Sequence, residues 1–380
     1  MPCKSWHREA HTPRMSDTKL FDAVYGSLVG GAIGDAMGGA TEMMTYEHIE
    51  RVFGIVDSLH PRGATLTTAR FEPGAPVGQV TDDTRLRNLL CRAIVRKGGR
   101  VTADDWAETW LDEMEGWFYT PVVNAYHKVF TKAASPREAG HGNMGSNSTA
   151  MSISPVGLVN ACDPRQAALD AYNVAGLVHE GYARDAACAV AAAVAEAMKA
   201  EATVDSIVEA SVRFLAVGND IGWRVEKAVG LARAQGSYEA FRRAFYDTML
   251  LPWPQKGLLG SQPLEGFYDT AEPRETVPAV FGLLVVAAGE FARSVICATN
   301  FGRDADTLAS IVGSIVGALV GATSIPRDWI ETVEGTNLVS QRALAAELCE
   351  VIEHEAVALG QHLRALEGLL RPLGTKYPTD

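Results

Sequence analysis

Apolar residues recur at helical spacing along most of this chain. Arg184–Ala200 consists almost entirely of Ala, Val, Met and Glu, most of which are strong helix formers. Asp104–Met114 begins with acidic residues directly after Thr102, which is typical of a capped helix start. The same pattern predicts further helices over Phe21–Met37, Arg85–Val95, Ser206–Val217, Val225–Ala234, Tyr238–Met249 and Thr276–Ala298, and one or two amphipathic helices within Leu338–Leu370.

Strand patterns are scarce. Arg51–Leu59 and Thr65–Phe71 alternate weakly, but their Gly and Pro neighbours suit a loop equally well. Gly140–Ser154 and Pro252–Glu275 are predicted to be long irregular segments, and loops of that length inside a domain are often functional. Neither has the simple composition of an interdomain linker. We therefore predict a single all-α domain over residues 18–380, preceded by a loose leader over residues 1–17.

One apolar segment, Leu308–Pro326, has no charged residue and carries glycines at positions 313, 317 and 321. Its length is close to the roughly 18–20 residues that cross a bilayer, and G-x-x-x-G occurs in paired membrane helices. However, Asp304 and Asp306 directly precede it, and no basic cluster flanks it. We expect a buried helix in which small residues allow close packing, and no membrane span.

The composition narrows the class of protein. The formal net charge of -12 disfavours nucleic acid as a partner, although a small anion can still be held locally. The six cysteines are far apart and form no C-x-x-C pair, so reduced thiols are expected. The first fifteen residues lack the apolar core of a secretory signal. A cytoplasmic protein is the expectation, and the sequence does not specify an oligomeric state.

Two short acidic clusters are candidates for chemistry. Gly78–Thr84 reads G-Q-V-T-D-D-T, and Asn300–Thr307 reads N-F-G-R-D-A-D-T; each precedes a predicted helix. Asp and Thr are ordinary helix caps, so either cluster alone is equally compatible with capping. Two neighbouring carboxylates exceed what capping needs, because like charges repel unless a cation compensates them. Hard oxygen ligands without nearby His or Cys favour Mg²⁺, Mn²⁺ or Ca²⁺ over zinc.

A third element runs from Gly26 to Glu42 and is rich in Gly and Ala. This spacing allows tight helix packing or a close approach of backbone to a ligand. It is neither a dinucleotide-binding turn nor a phosphate-binding P-loop, since no strand precedes it and no Lys-Ser/Thr follows. Asp35 and Glu42 lie at its end, where a carboxylate would reach a pocket.

These elements, in this order, resemble the ADP-ribosylglycohydrolase family. The matching motifs are G-x-x-x-G-x-x-x-G-D followed by a Glu, then T-D-D-T, then G-x-D-x-D-T before a Gly-rich apolar helix that ends in Ile-Pro. Asn147–Leu158 is similar to a further family segment, and His179 lies where the family has a Thr-His pair. The resemblance extends from Phe21 to Pro326.

The resemblance implies a compact, single-domain orthogonal helical bundle with a binuclear Mg²⁺ or Mn²⁺ centre in a cleft. It implies a hydrolase that acts on an ADP-ribosyl substrate, either protein-linked or a small molecule. Glu42 and Asp304 would be catalytic. By position in the motifs, the metal ligands would be Thr81, Asp82, Asp83, Asp304, Asp306 and Thr307, and the substrate-binding residues would be Asp35, Asn147, Met151, His179, Gly302 and Arg303.

The chain departs from the family pattern near the expected substrate. Arg303 replaces a common Gly and is equally compatible with a substrate donor or a structural ion pair. Ser146 and Ser148 replace glycines, Ser152 replaces an Arg and Val178 replaces a Thr. No metal ligand is lost, so hydrolysis is the leading hypothesis. A nucleosidase-like hydrolase of a small ribosylated metabolite and a non-catalytic relative are the alternatives.

Overall fold

The computed structural model describes residues 15–61, 75–251 and 271–370. Over these ranges the chain forms seventeen α-helices and no strand, and an isolated antiparallel bridge joins Met44 to Arg303. The predicted all-α class is confirmed. Thr65–Phe71 and most of Pro252–Glu275 lie outside the described residues, as do residues 1–14 of the predicted leader. Met15–Asp17 form a single 3-10 turn ahead of the first helix.

In chain order the helices are α1 (Lys19–Gly38), α2 (Tyr46–Phe53), α3 (Asp82–Lys97), α4 (Ala103–Glu113), α5 (Thr120–Phe130), α6 (Ser148–Ser152), α7 (Ser154–Val159), α8 (Pro164–Ala175), α9 (Tyr182–Ala197), α10 (Val204–Arg213), α11 (Asp220–Gln235), α12 (Tyr238–Thr248), α13 (Pro273–Val286), α14 (Phe291–Thr299), α15 (Ala305–Val320), α16 (Arg327–Thr336) and α17 (Gln341–Leu369).

Local chemistry explains many of these bounds. The Thr18 hydroxyl accepts the Phe21 amide at the start of α1, and the Ser237 hydroxyl accepts the Ala240 amide at the start of α12. Thr102 and Asp105 form a capping box on α4. Gly98 ends α3 in the left-handed region, where a residue without Cβ carries no steric penalty.

The structure corrects several predicted elements. Predicted as weakly extended, Arg51–Leu59 begins instead inside α2. The predicted single helix Thr276–Ala298 is divided into α13 and α14, because Ala288 and Gly289 both adopt positive φ. Predicted to be irregular, Gly140–Ser154 contains α6. Sequence analysis also missed five further helices: α2, α5, α7, α8 and α16.

The tightest contact in the fold joins α1 and α15. Their backbones touch through glycines: an added Cβ would lie 2.0 Å from the Ala309 carbonyl oxygen at Gly34, and 2.0 Å from the Gly26 oxygen at Gly317. Such spacing leaves no room for a side chain at these glycine positions. Leu308–Pro326 therefore begins within a buried helix, α15, as predicted. Across the described part of the chain, no helix is long and apolar enough to cross a membrane.

The cysteines are free thiols wherever the structure describes them. Cys91, Cys188, Cys297 and Cys349 are buried, and Cys162 is exposed. Burial raises the pKa of the Cys91 and Cys188 thiols to about 12, so both are neutral at physiological pH. The four buried cysteines pack as small apolar residues.

The contact between α1 and α15 predicts a position-specific effect of adding one methyl group. Gly34→Ala is expected to lower the free energy of unfolding by about 3 kcal/mol, or to prevent folding, because backbone atoms have to move apart. Gly230→Ala is the control, because an added Cβ at Gly230 meets nothing within 4 Å. It should raise the free energy of unfolding by roughly 0.5–1 kcal/mol. Urea denaturation followed by circular dichroism measures both, and equal effects would contradict the close packing.

Candidate active site

A cavity of about 430 Å³ lies where the N-terminal ends of α3, α6 and α15 meet the turn that follows α1. It lies within the size range of small-molecule sites. Its wall combines acidic, hydroxyl, amide and aromatic groups. The described residues that line it are Glu42, Met43, Asp82, Asp83, Trp117, Tyr119, Thr120, Asn147, Ser148, Met151, Ala271, Asp304, Asp306 and Thr307.

Both acidic clusters predicted from the sequence converge on this cavity. Carboxylate oxygens of Glu42, Asp304 and Asp306 lie within 4.8 Å of one another. Asp82 and Asp83 occupy the first turn of α3 on the same cavity wall. The positive ends of helices α3 and α15 favour these negative groups, but each supplies only about half an elementary charge. Five carboxylates therefore share one site with too little positive charge from the helices to balance them.

This crowding perturbs two of the carboxylates. Burial, followed by the negative charges of Asp306 and Asp35, raises the pKa of Asp83 well above its usual value. Burial is also the main cause that raises the pKa of Asp304 to about 6, although hydrogen bonds with Asp306 and Asn147 oppose it. Asp83 Oδ2 is buried without a hydrogen-bond partner among the described residues. A buried, unpaired carboxylate oxygen among like charges is a suitable ligand for a hard divalent ion, and the donor set fits such an ion.

The threonines of the two clusters have different contacts. The Thr81 hydroxyl accepts the Asp83 amide at 3.1 Å and so caps α3, and Thr81 does not line the cavity. Thr307 lines the cavity, and its hydroxyl donates to Asp83 Oδ1 at 3.2 Å. The capping and metal-binding interpretations of the first cluster therefore apply to different residues: Thr81 caps the helix, and the aspartates after it face the cavity.

Asn147 and Met151, two of the predicted substrate-binding residues, line the cavity. The Asn147 side-chain amide donates to Asp304 Oδ2 and, at 3.0 Å, to the Thr276 hydroxyl. The Met151 sulfur lies 3.9 Å from the Thr307 hydroxyl. Asn147 thereby holds Asp304 in place while its own side chain remains part of the wall.

Asp35, another predicted substrate contact, lies behind the cavity wall. It is fully buried, and its carboxylate accepts the backbone amides of Thr81, at 3.0 and 3.1 Å, and of Thr84, at 3.1 Å. Those amides belong to the start of α3, where a helix leaves its N–H groups without backbone partners. Asp35 thus fixes the first turn of α3 against α1 and sets where Asp82 and Asp83 point.

His179, also predicted to contact substrate, is separated from the cavity by two serines. Its Nε2 lies 3.0 Å from the Ser146 hydroxyl, which lies 2.8 Å from the hydroxyl of Ser148 on the cavity wall. Burial lowers the pKa of His179 to about 3, so the ring is neutral at physiological pH. Both serines are departures from the family pattern, and they connect the histidine to the wall through hydroxyls.

Gly302 and Arg303 support the site from outside the cavity. Gly302 has φ 78°, and a Cβ there would lie 2.5 Å from the Met44 carbonyl oxygen. Arg303 exchanges two backbone hydrogen bonds of 2.6 Å with Met43 and Met44, which anchors the turn that carries Glu42. Its guanidinium pairs with Glu275 at 2.5 Å, and both side chains are buried. Of the two roles considered for Arg303, the structure shows the ion pair.

Sequence analysis missed the aromatic part of the wall. Trp117 and Tyr119 lie just before α5, and the Tyr119 amide donates to Asp82 Oδ2 at 3.2 Å. Trp117 is half exposed and forms part of the cavity wall. One signal in the sequence could have identified them: three consecutive aromatic residues, Trp117 to Tyr119, directly precede the Thr-Pro start of α5.

Comparison with known proteins identifies the family of this chain. The sequence model described as ADP-ribosylglycohydrolase matches residues 16–358. The chain belongs to the ADP-ribosylglycohydrolase family. The resemblance drawn from the motifs is thereby confirmed over most of the chain.

Two curated relatives and one solved structure are similar to it. ADP-ribosyl-(dinitrogen reductase) glycohydrolase of Rhodospirillum rubrum is 27% identical over 176 residues, which are 46% of this chain and 57% of that relative. The chain therefore matches little more than half the length of that enzyme. Uncharacterized protein YegU of Escherichia coli strain K12 is 24% identical over 310 residues, covering 76% of this chain and 85% of that protein.

The solved structure is titled an ADP-ribosylglycohydrolase-related protein complex. It superposes with a TM-score of 0.63 at 20% identity, covering 88% of this chain and 99% of its own. At that identity the likeness concerns the fold. It agrees with the helical bundle described above.

The raised pKa of Asp83 predicts that one acidic residue destabilises the cation-free protein. In chelator, Asp83→Asn should raise the free energy of unfolding at pH 7.5 by on the order of 1 kcal/mol, because it removes a buried charge surrounded by like charges. A carboxyl whose pKa is raised by folding favours the protonated folded state, so the gain should shrink as the pH falls toward 5.

Asp105, in the corresponding first turn of α4, provides the matched control. Its pKa is lowered, because hydrogen bonds from Lys97 and Thr102 outweigh burial. Asp105→Asn should therefore destabilise the protein at pH 7.5. Thermal melts across pH measure both variants. If Asp83→Asn lost stability as Asp105→Asn does, the like-charge account of the site would be wrong.

Proposed function

We propose that this chain is a metal-dependent hydrolase of N- or O-ribosyl bonds, which releases ADP-ribose from an ADP-ribosylated protein or small molecule. One observation carries the proposal: Glu42, Asp304 and Asp306 converge in the cavity that Asp82 and Asp83 also line. Family membership supports a glycohydrolase activity. A merely structural descendant of the fold has no need to keep five mutually repelling carboxylates at one cavity.

The donor set would hold two Mg²⁺ or Mn²⁺ ions. The ligands proposed are Asp82, Asp83, Asp304, Asp306 and Thr307. Thr81, which does not line the cavity, would contribute by capping the helix that carries Asp82 and Asp83. When bound, such ions orient sugar hydroxyls and make water more acidic. The oxygen-rich set without His or Cys favours these hard cations over zinc.

The residues of the chain itself would supply the remaining steps. Cleavage of a ribosyl bond passes through an oxocarbenium-like state, whose positive charge the carboxylates of the cavity stabilise. Glu42 is only half-buried, so its carboxylate is placed to orient and deprotonate the attacking water. Asn147 keeps Asp304 fixed, and Trp117 offers a flat face for a base or for the acceptor.

The composition of the wall favours a second candidate activity. Among the described residues that line the cavity, none is Lys, Arg or His. A diphosphate is usually met by such donors or by backbone amides. A nucleosidase-like hydrolase of a small ribosylated metabolite would use the same carboxylates and cations. It would not need to recognise a diphosphate.

Turnover assays with matched substrates test the proposal. ADP-ribosyl-arginine, ADP-ribosyl-serine and plain nucleosides are each offered with Mg²⁺ or Mn²⁺, and the released sugar is quantified. Asp304→Asn is expected to lower kcat about 10³-fold, because the variant loses a charge that acts on the transition state. Asp328→Asn, in the exposed first turn of α16, is the control and should be unchanged.

Cleavage of the ADP-ribosyl substrates alone supports the leading proposal, and cleavage of nucleosides alone supports the second candidate. If a chelator and Asp304→Asn both left turnover unchanged, neither metal-dependent activity would stand. Circular dichroism of Asp304→Asn must show full helical content for the loss of turnover to be assigned to chemistry.

A further inference from the structure

The C-terminal part of α17 extends away from the rest of the protein. Up to Ile352 one face of the helix is buried, but from residue 361 to 370 every residue is exposed. At 1.5 Å per residue, residues 357–370 project about 21 Å, or about four turns. Large apolar side chains lie on this projection: Leu359, Leu363, Leu366 and Leu370 are exposed by 69%, 56%, 44% and 83%.

A free projection of this kind is poorly stabilised as a helix. Gly360 lies in its interior and costs about 1 kcal/mol relative to Ala, and Gly368 is the residue before the last of the helix. Short helices in water depend on the packing of an apolar face rather than on intrinsic propensity. These turns therefore need a partner surface that the rest of the described chain does not provide.

The apolar residues follow the spacing of a coiled coil. Ala356, Leu359, Leu363, Leu366 and Leu370, here called the leucine seam, are separated by alternating steps of three and four residues. This is the a/d pattern of a heptad repeat, which presents one narrow stripe to a partner helix. The same register continues backwards through Ile352, Cys349 and Ala345, which are buried against the body of the protein.

We propose that the leucine seam pairs with the leucine seam of a second copy of this chain, in antiparallel orientation. The leucine seam lies on the same face of α17 as Ala345 and Cys349. Over the residues before Glu355, the rest of each copy, here called its body, therefore covers this face of its own helix. In a parallel pair the two bodies would compete for that space. In an antiparallel pair each helix end reaches the partner's body, and Leu359 of one copy faces Leu363 of the other.

Charge disfavours a lipid surface as the occupant. Helices that lie on membranes usually carry several Lys or Arg on their polar face. Residues 356–370 contain one basic residue, Arg364, and one acidic residue, Glu367, within a chain of net charge -12. The family match ends at residue 358, and no residue of the leucine seam lines the cavity. The proposal is therefore independent of the proposed catalytic function.

Sedimentation equilibrium of the full chain at about 10–100 µM tests the pairing, a range suited to a small interface. The wild-type chain is expected to be dimeric, and Leu363→Glu should raise the dimer dissociation constant roughly 100-fold, because it buries a charge in the seam. Val357→Glu is the matched control: Val357 is equally exposed, at 59%, but lies off the seam.

A monomeric wild-type chain, or equal effects of Leu363→Glu and Val357→Glu, would overturn the proposal. The proposal would be overturned in favour of a membrane surface if the wild-type chain were monomeric and floated with vesicles of anionic lipid, and if Leu363→Glu abolished this flotation. Turnover is measured alongside and should be unchanged in both variants.

Disulfide trapping tests the orientation. In a background with Cys3→Ser and Cys162→Ser, chains carrying Leu359→Cys are mixed with chains carrying Leu363→Cys. The antiparallel register predicts disulfides mainly between the two unlike chains. Disulfides that form mainly between like chains would instead indicate a parallel pair and overturn the proposed arrangement.

Discussion

The backbone contact between α1 and α15 determines where every acidic group of the cavity lies. Asp304 and Asp306 stand at the start of α15, and Glu42 stands in the turn after α1. Asp35, on α1, holds the first amides of α3 and so places Asp82 and Asp83. Because the backbones of α1 and α15 touch at their glycines, small movements of one helix would displace carboxylates on both sides of the cavity.

The convergence of these carboxylates opposes folding, because it brings buried negative charges together. The same arrangement would favour the binding of a divalent cation. Burial and mutual repulsion raise the pKa of Asp83 and Asp304, so the cation-free protein is strained at the cavity. Neutral groups around them, such as Asn147 and Thr307, fix their positions without removing the charge. Functional sites commonly break the rules that stabilise the rest of a protein, and these crowded carboxylates support the cation site that we propose.

The sequence predicted the helical class, the buried α15 and the acidic clusters, because periodicity and adjacent like charges are local properties. It also contained an overlooked helix start in Asp163-Pro164, where an Asp cap precedes Pro. Contacts between residues far apart in the chain could not be predicted from the sequence. Arg303 meets Glu275, and two serines separate His179 from the cavity; neither relation follows from position in a motif. Trp117 was missed because an aromatic loop residue has the same local pattern whether it packs or faces a cavity.

The central claim is that the two acidic clusters form one site for divalent cations. A crystal of the protein grown with Mn²⁺ and measured at the manganese absorption edge tests it most directly. The account predicts two anomalous peaks about 3.5–4 Å apart, between the aspartates that begin α3 and those that begin α15. No peak in the cavity, or manganese bound only elsewhere on the surface, would contradict it.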